Sequence, residues 1–461
     1  MAESLEEVYR RDLAGHALAL GMHYRQGEMW DRAVAHLHTA GRQATARSAH
    51  GEAVACFEAG LNALAHLPAS REALDRELDL RIDLVQTLYP LGRLADLRDH
   101  LREAERLAQM LDDRLRLARV AAYISNHAWI TGDLPRALVS GQRALALAEE
   151  LDDRWLVVEA NLRLGQVRWR LGQYRDAVTC FQRAVEPDVA AAPEYVAGPS
   201  AELSLAELNL YWIVAPLTEL GRFEEALAAA RRALEFATRI EHPVPLAGAL
   251  ASVGLVYLYQ GRLDEAALNL ARGLDVCRRS EVAVHLPWLA AMLGYTYAIS
   301  GQLSEGQSLL REAIDEAEKS GQVAGQAWRL AWLAEAALLA GRLNDAAMWA
   351  DQALEQSRQR GERGHEAWAL RAQAEVTSAR KPTARHAARE RYQEALALAG
   401  TLEMRPLEAR CHLGLAALHR SAGRRAKAQA ALGHARAQLR AMGMDFWLIR
   451  AEAVRLGLEA Q

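Results

Sequence analysis

Three tryptophans spaced evenly along the second half of the chain are the side chains best suited to chemistry. Trp288, Trp328 and Trp368 stand 40 residues apart. Aromatic and arginine side chains are enriched at the centres of binding interfaces, so the row predicts non-covalent recognition. A residue that recurs at a fixed period can also be core that packs between neighbouring structural units. Groove contact and packing are therefore both open interpretations of these tryptophans.

The sequence contains none of the common catalytic patterns. There is no GxxxxGK[ST] phosphate loop, no GxGxxG after a strand, no HExxH and no GxSxG. His36 and His38 point to different sides of a helix, and His412 and His419 share a face without a third ligand. We expect no enzymatic activity, no cofactor and no metal site. An enzyme of unrecognised type is the remaining alternative.

The composition limits which partners and which cellular compartment we expect for this chain. The net charge of −4 over 461 residues gives no global basic field that would recruit nucleic acid. Residues 361–461 are locally basic, with 17 Lys and Arg against 10 Asp and Glu, which fits a solvated arginine face. The four cysteines lie far apart, as expected of small buried side chains in a reducing compartment. The acidic N-terminus does not resemble a signal peptide. We expect a cytoplasmic protein.

Two windows without charged residues could be mistaken for membrane spans. They cover residues 242–261 and 282–304, and both contain proline, glycine and histidine. A helix buried between neighbouring helices is apolar on all sides for ordinary reasons. We therefore predict two core helices and no contact with a membrane.

A 40-residue repeat must position these side chains. Gly261, Gly301 and Gly341 stand 40 apart, and the same spacing recurs upstream from Gly92. Each unit has the pattern of a helix, a glycine turn and a second helix, because glycine accepts the positive φ that ends a helix. A fixed period of this size predicts stacked helix pairs, which is an all-α solenoid.

The second helix of each unit resembles the tetratricopeptide repeat. The unit at Gly172 carries Tyr174, Ala177, Phe181 and Ala184 at the positions where this family favours bulky and small residues, and the pattern recurs in most units. The resemblance implies a right-handed superhelical solenoid of antiparallel helix pairs. The period of 40 departs from the usual repeat of about 34 residues, and the usual closing proline is absent.

The repeat pattern also divides the chain. We predict irregular N-terminal helical repeats at 1–70, a first arm of tetratricopeptide-like repeats at 71–186 and a second arm at 201–443. A proline-rich loop at 187–200 separates the arms, because its three prolines and one glycine oppose a helix. Residues 444–461 form a helix that caps the exposed end of the stack.

The resemblance implies that certain positions of the first helices face a concave groove. Aromatic, arginine and amide side chains at these positions are the candidate binding residues for a protein or peptide segment. They are Arg119, Asn126, Trp129, Gln166, Trp169, Arg170, Tyr211, Tyr259, Trp288, Tyr295, Trp328, Glu335 and Trp368.

A second resemblance concerns the chain as a whole. Residues 46–57, 362–370, 404–407 and 442–448 are similar to the C-terminal arm of bacterial signalling proteins that join a class III nucleotide cyclase, a STAND-type ATPase and a tetratricopeptide tail. The likeness implies a sensor or interaction arm, with cyclase and ATPase modules possible in cis. A free-standing adaptor, or the small-molecule-sensing arm of an ATP-dependent transcription regulator, are the alternatives. The sequence leaves the oligomeric state and the ligand open.

Overall fold

The described chain is entirely helical. The computed structural model describes residues 6, 13, 15–185, 210–380 and 382–459, and these form 22 α-helices and three 3-10 helices without a strand. The predicted all-α solenoid of consecutive helix pairs is confirmed. The predicted loop at 187–200 lies outside the described residues. The boundaries proposed for the two arms stay predictions. The first arm denotes residues 71–186, and the second arm denotes residues 201–443.

Nine α-helices are described before residue 186. They are α1 (Ala17–Gln26), α2 (Trp30–Ala46), α3 (His50–Leu64), α4 (Arg71–Leu88), α5 (Leu94–Leu111), α6 (Arg114–Ile130), α7 (Leu134–Glu150), α8 (Arg154–Arg170) and α9 (Tyr174–Ala184).

Among the described residues after 209 there are thirteen α-helices, and a 3-10 helix (Leu210–Ile213) precedes the first of them. They are α10 (Val214–Glu219), α11 (Phe223–Ile240), α12 (Pro243–Gln260), α13 (Leu263–Arg279), α14 (Leu286–Ile299), α15 (Leu303–Ser320), α16 (Gln326–Leu339), α17 (Leu343–Arg360), α18 (Arg363–Arg380), α19 (Arg385–Leu402), α20 (Arg405–Ser421), α21 (Arg425–Ala441) and α22 (Asp445–Glu459). Two further 3-10 helices cover Ala283–His285 and Pro382–Ala384.

Small residues bring the two helices of a unit together. In the α14–α15 pair, a Cβ added to Gly294 would lie 2.7 Å from the carbonyl oxygen of Gly306, so the two backbones touch. Elsewhere alanines fill the crossing, and Ala226, Ala230 and Ala233 on α11 are all buried. Close backbone approach of this kind explains why small residues recur on the inner side of each second helix.

The helix α12 is long and apolar enough to cross a membrane by composition alone. Most of its residues are buried inside the solenoid. It packs between α11, α13 and α14. This agrees with the predicted core helix at 242–261.

The solenoid winds tightly enough for successive superhelical turns to touch. The backbone N–H of Val284 donates to the carbonyl of Pro90 at 3.2 Å, and that of Ala324 donates to the carbonyl of Ile130 at 3.1 Å. Further along, the side chain of Arg175 forms an ion pair with Glu403. We call this line of contacts the inter-turn seam. It joins the glycine turns of the early units to the loops between units of the next superhelical turn.

The seam distinguishes turn glycines that otherwise have the same conformation. Gly261 and Gly341 have φ of +81° and +73°. A Cβ on Gly261 would lie 2.2 Å from the Cβ of Phe446, whereas a Cβ on Gly341 would meet nothing within 4 Å. The early glycine turns are therefore packed against the next superhelical turn, and the later ones are open.

Candidate functional site

Tryptophans from both arms meet in the interior of the superhelix. The ring of Trp212 stacks on Trp288 at 6.1 Å between centroids, and it meets Trp129 edge-on at 5.5 Å. Trp169 lies 6.3 Å from Trp288 and carries the guanidinium of Arg170 at 4.3 Å from its ring centroid. These contacts join α6 and α8 of the first arm to α14 of the second. The packing interpretation of the repeated tryptophans accounts for these contacts.

The structure places the thirteen predicted binding residues along this interior. Arg119 and Trp288 are half-buried, and the other eleven are buried. Trp328 packs on Trp332 with centroids 3.8 Å apart, and Trp368 packs edge-on against Tyr259. All thirteen predicted binding residues except Tyr211, which lies in the 3-10 helix Leu210–Ile213, belong to the first helices of their units. Residues of the next superhelical turn pack against several of these side chains. Ligand contact by the thirteen residues stays a prediction.

One polar chain crosses the seam between the two arms. Arg170 donates to Nε2 of His365 at 3.4 Å, and the other ring nitrogen of His365 lies 2.8 Å from Glu362. Glu362 also accepts the backbone N–H of Gly325 at 3.0 Å. Burial opposes ionisation of Glu362, but these neighbours hold its pKa at about 2. A buried carboxylate that stays charged fixes the end of α8 against the second arm.

A second buried carboxyl group has no cationic partner among the described residues. Glu219 accepts hydrogen bonds from the hydroxyl of Tyr259 at 2.7 Å and from the indole N–H of Trp368 at 3.2 Å. Burial raises the pKa of Glu219 to about 7 against these two bonds. The group links α10 and α12 to α18, so it joins two superhelical turns.

A third network of buried charged groups lies in the last units. It consists of Glu335, Glu375, Arg371 and Arg410, and we call it the floor. Glu335 accepts from Arg371 and, at 2.6 Å, from Arg410. Arg371 also pairs with Glu375, and Arg410 donates to the hydroxyl of Tyr295 at 3.1 Å. Burial opposes the charge of Glu335, but the two arginines hold its pKa at about 2. Two guanidinium groups thus face two carboxyl groups, of which Glu375 has a pKa raised by burial, so the floor carries no excess of negative charge.

An open cavity of about 240 Å³ remains on the inner side of the first arm. We call it the first-arm cavity. Its walls come from α4, α5, α6 and α8, and they combine apolar, aromatic and hydrogen-bonding side chains. The lining residues are Val85, Gln86, Tyr89, Leu97, Leu101, Tyr123, Asn126, His127, Trp155, Glu159 and Arg163.

The polar wall of this cavity is organised by Arg163. Its guanidinium pairs with Glu159 at 2.8 Å and donates to the amide oxygens of Asn126 at 3.2 Å and Gln166 at 3.3 Å. The Nε2 amino group of Gln166 is buried without a hydrogen-bond partner in the described structure. The ion pair leaves the wall electrically balanced, and the amides of Gln86 and Asn126 line the cavity. Such a wall suits a neutral polar ligand group such as a peptide bond.

Sequence reasoning identified only Asn126 among the residues that line this cavity. The side chains of Gln86, Tyr123 and Arg163 were missed. A signal was present, because Gln86, Asn126 and Gln166 carry amides at intervals of 40. Recurrence of a polar amide at one repeat position is as regular as the tryptophan row and would have pointed to the first arm.

The described residues offer no group of three His, Cys, Asp or Glu side chains that could hold a metal ion. The four cysteines are free and buried, as predicted. Burial raises the pKa of Cys277 to about 12.

Comparison with known proteins supports the repeat assignment. Residues 158–186 match the tetratricopeptide repeat family. No curated protein matches the sequence. The solved structure of a Rap protein complexed with competence and sporulation factor aligns with a TM-score of 0.58 and 17% identity, covering 80% of this chain and 98% of the other.

Two further solved structures align less closely. A STAND signal transduction ATPase from Pyrococcus horikoshii with a tetratricopeptide repeat sensor has a TM-score of 0.44 at 16% identity, over 82% of this chain and 55% of its own. A Rap conjugation regulator of plasmid pLS20 in complex with the Phr* peptide has a TM-score of 0.48 at 12% identity, over 86% and 98%. The chain thus contains a tetratricopeptide repeat and has the fold of a helical-repeat solenoid.

Proposed function

We propose that this tetratricopeptide-repeat solenoid is a non-catalytic scaffold that binds a peptide segment of a partner protein in the first-arm cavity. The observation that carries the proposal is the cavity itself. It is open, and amides and aromatic rings line it together with one balanced ion pair. The likeness in fold to a Rap protein solved with a bound factor supports the same kind of role.

The size of the cavity suits part of a longer ligand. Pockets that enclose a drug-sized molecule measure about 300–1,000 Å³, so 240 Å³ fits one or two side chains. Tyr89, Tyr123 and Trp155 offer apolar surface to such side chains, while the amides of Gln86 and Asn126 reach a peptide backbone. Recognition of this kind orders a segment without any bond-making step.

A peptide selection tests the proposal. Peptides are selected from a displayed random library on the immobilised chain, and their affinities are measured by fluorescence anisotropy. Gln86 is half-buried, and its amide N–H donates to the hydroxyl of Tyr123. Replacing it by alanine removes this bond together with one amide contact to the peptide. We expect a five- to tenfold weaker Kd, which corresponds to about 1–1.4 kcal/mol.

The matched control is Asn269→Ala. This amide on α13 bonds only the carbonyl of Glu265 in its own helix, at 2.8 Å, and lies outside the cavity. Peptide affinity should not change in the control, and both variants should melt close to the parent. Failure to select any peptide, or an equal loss of affinity in both variants, would contradict the proposal.

We further propose that the scaffold is the sensor or interaction arm of a larger cytoplasmic bacterial signalling protein. The motif resemblance to cyclase–ATPase proteins supports this placement. A free-standing adaptor, or an inducer-sensing arm of a transcription regulator, are the alternatives. An immunoblot of the source cells separates them, because a band near 50.8 kDa indicates a free adaptor and a much larger band indicates modules in cis.

A further inference from the structure

The inner face of the last units forms a second concave surface that the first-arm cavity does not reach. It measures about 570 Å³, and its walls are α16, α18, α19, α20 and α22. We call it the C-terminal groove. Its apolar part includes Leu339, which is 41% exposed, together with Leu338, Leu413 and Trp447.

The charges of this groove do not balance. In the floor, Arg371 and Arg410 pair with Glu335 and Glu375, so the floor carries no excess of negative charge. Two more arginines line the groove, Arg385 and Arg450, and no carboxylate of the described residues lies within salt-bridge distance of either. Four guanidinium groups therefore stand against two carboxylates.

Arg450 is held in place by aromatic rings. Its guanidinium lies 4.6 Å from the ring centroid of Phe446 and 5.0 Å from that of Trp447. Stacking of this kind restrains the plane of an arginine and leaves its N–H edge available for a carboxylate. Arg385, at the start of α19, is exposed. The surrounding residues 361–461 share the excess of positive charge.

We propose that the C-terminal groove binds a peptide segment of a partner protein that carries both leucine-like and acidic side chains. The apolar wall would bury the aliphatic groups, and Arg385 and Arg450 would pair with the carboxylates. Charge complementarity favours this occupant. A neutral apolar segment would cover part of the groove and leave Arg385 and Arg450 without carboxylate partners. The site is separate from the first-arm cavity and does not depend on it.

The test uses a short synthetic peptide of leucine and glutamate with a neutral fluorescent dye, and the whole chain. Binding is followed by anisotropy. We expect the double variant Arg385→Gln/Arg450→Gln to bind about tenfold more weakly. A peptide with glutamine in place of glutamate should lose affinity for the parent by a similar factor.

The matched control is Arg424→Gln/Lys427→Gln. It removes the same charge from exposed positions of the same basic region that do not line the groove. Binding should change less than about twofold in this control. Equal losses in both double variants, stronger binding of a single-stranded DNA oligonucleotide, or no binding of the acidic peptide would each overturn the proposal. None of these results bears on peptides selected for the first-arm cavity.

Discussion

Replacing Gly261 by alanine tests whether the inter-turn seam forms in solution. Gly261 and Gly341 both end the first helix of a unit with positive φ, at +81° and +73°. Alanine at either position is strained by about 1–2 kcal/mol, because its Cβ approaches the neighbouring carbonyl oxygen. This backbone contribution should be nearly the same in the two variants.

The two sites differ in what the new methyl group meets. At Gly261 it would lie 2.2 Å from the Cβ and 3.4 Å from the Cα of Phe446, so α22 must shift. Overpacking of this kind costs about 1–3 kcal/mol. At Gly341 nothing lies within 4 Å. We therefore expect Gly261→Ala to lower the free energy of unfolding by about 1–3 kcal/mol more than Gly341→Ala does.

Urea unfolding followed by circular dichroism measures the difference, and amide exchange in α22 shows where it acts. Exchange should accelerate in α22 for Gly261→Ala only. Because repeat proteins can unfold in stages, the two variants are compared at matched transitions. Equal destabilisation in both variants, with α22 unaffected, would refute the superhelical contact between Gly261 and Phe446.

Two further predictions concern helix packing and pH. Gly294→Ala should destabilise the folded chain by about 1–3 kcal/mol, because the new Cβ meets the backbone of α15. Gly433→Ala, on the open face of α21, should stabilise it by about 0.5–1 kcal/mol. Thermal melts distinguish the two variants, and equal shifts in melting temperature would contradict this prediction. Glu219 retains its proton in the folded state up to about pH 7, while the unfolded carboxyl ionises near pH 4.5, so its contribution to stability falls as pH rises through this window. From pH 5 to 8 the parent should lose on the order of 2 kcal/mol relative to Glu219→Gln, and parallel melting profiles of the two would argue against a buried, unpaired carboxylate.

Much of the local structure could be predicted from the sequence. The glycines at intervals of 40 mark turns, because they have the positive φ that ends a first helix. Alanines such as Ala226 and Ala230 mark the helix crossings. These features depend on local sequence or on an adjacent helix, so the spacing of glycine and alanine along the chain predicts them.

The contacts between superhelical turns could not be predicted from the sequence, although the family resemblance implied a superhelix. It results from a small rotation between neighbouring units that accumulates along the stack. That rotation brings Trp288 against Trp212 and Arg170 against His365, residues that repeat spacing alone does not relate. Eleven of the thirteen candidate binding residues are buried, and Arg119 and Trp288 are half-buried. The first-arm cavity was not predicted. Its polar wall depends on Arg163, which donates to the amide oxygens of Asn126 on α6 and Gln166 on α8.

Photo-crosslinking of a selected peptide is the most direct test of binding in the first-arm cavity. A peptide that carries a photoreactive phenylalanine analogue is irradiated with the whole chain, and the linked residues are identified by mass spectrometry. We predict crosslinks to the cavity walls, at Tyr123, Trp155 or their neighbours on α4, α6 and α8. Crosslinks confined to α7 or α9, or to the second arm alone, would contradict it.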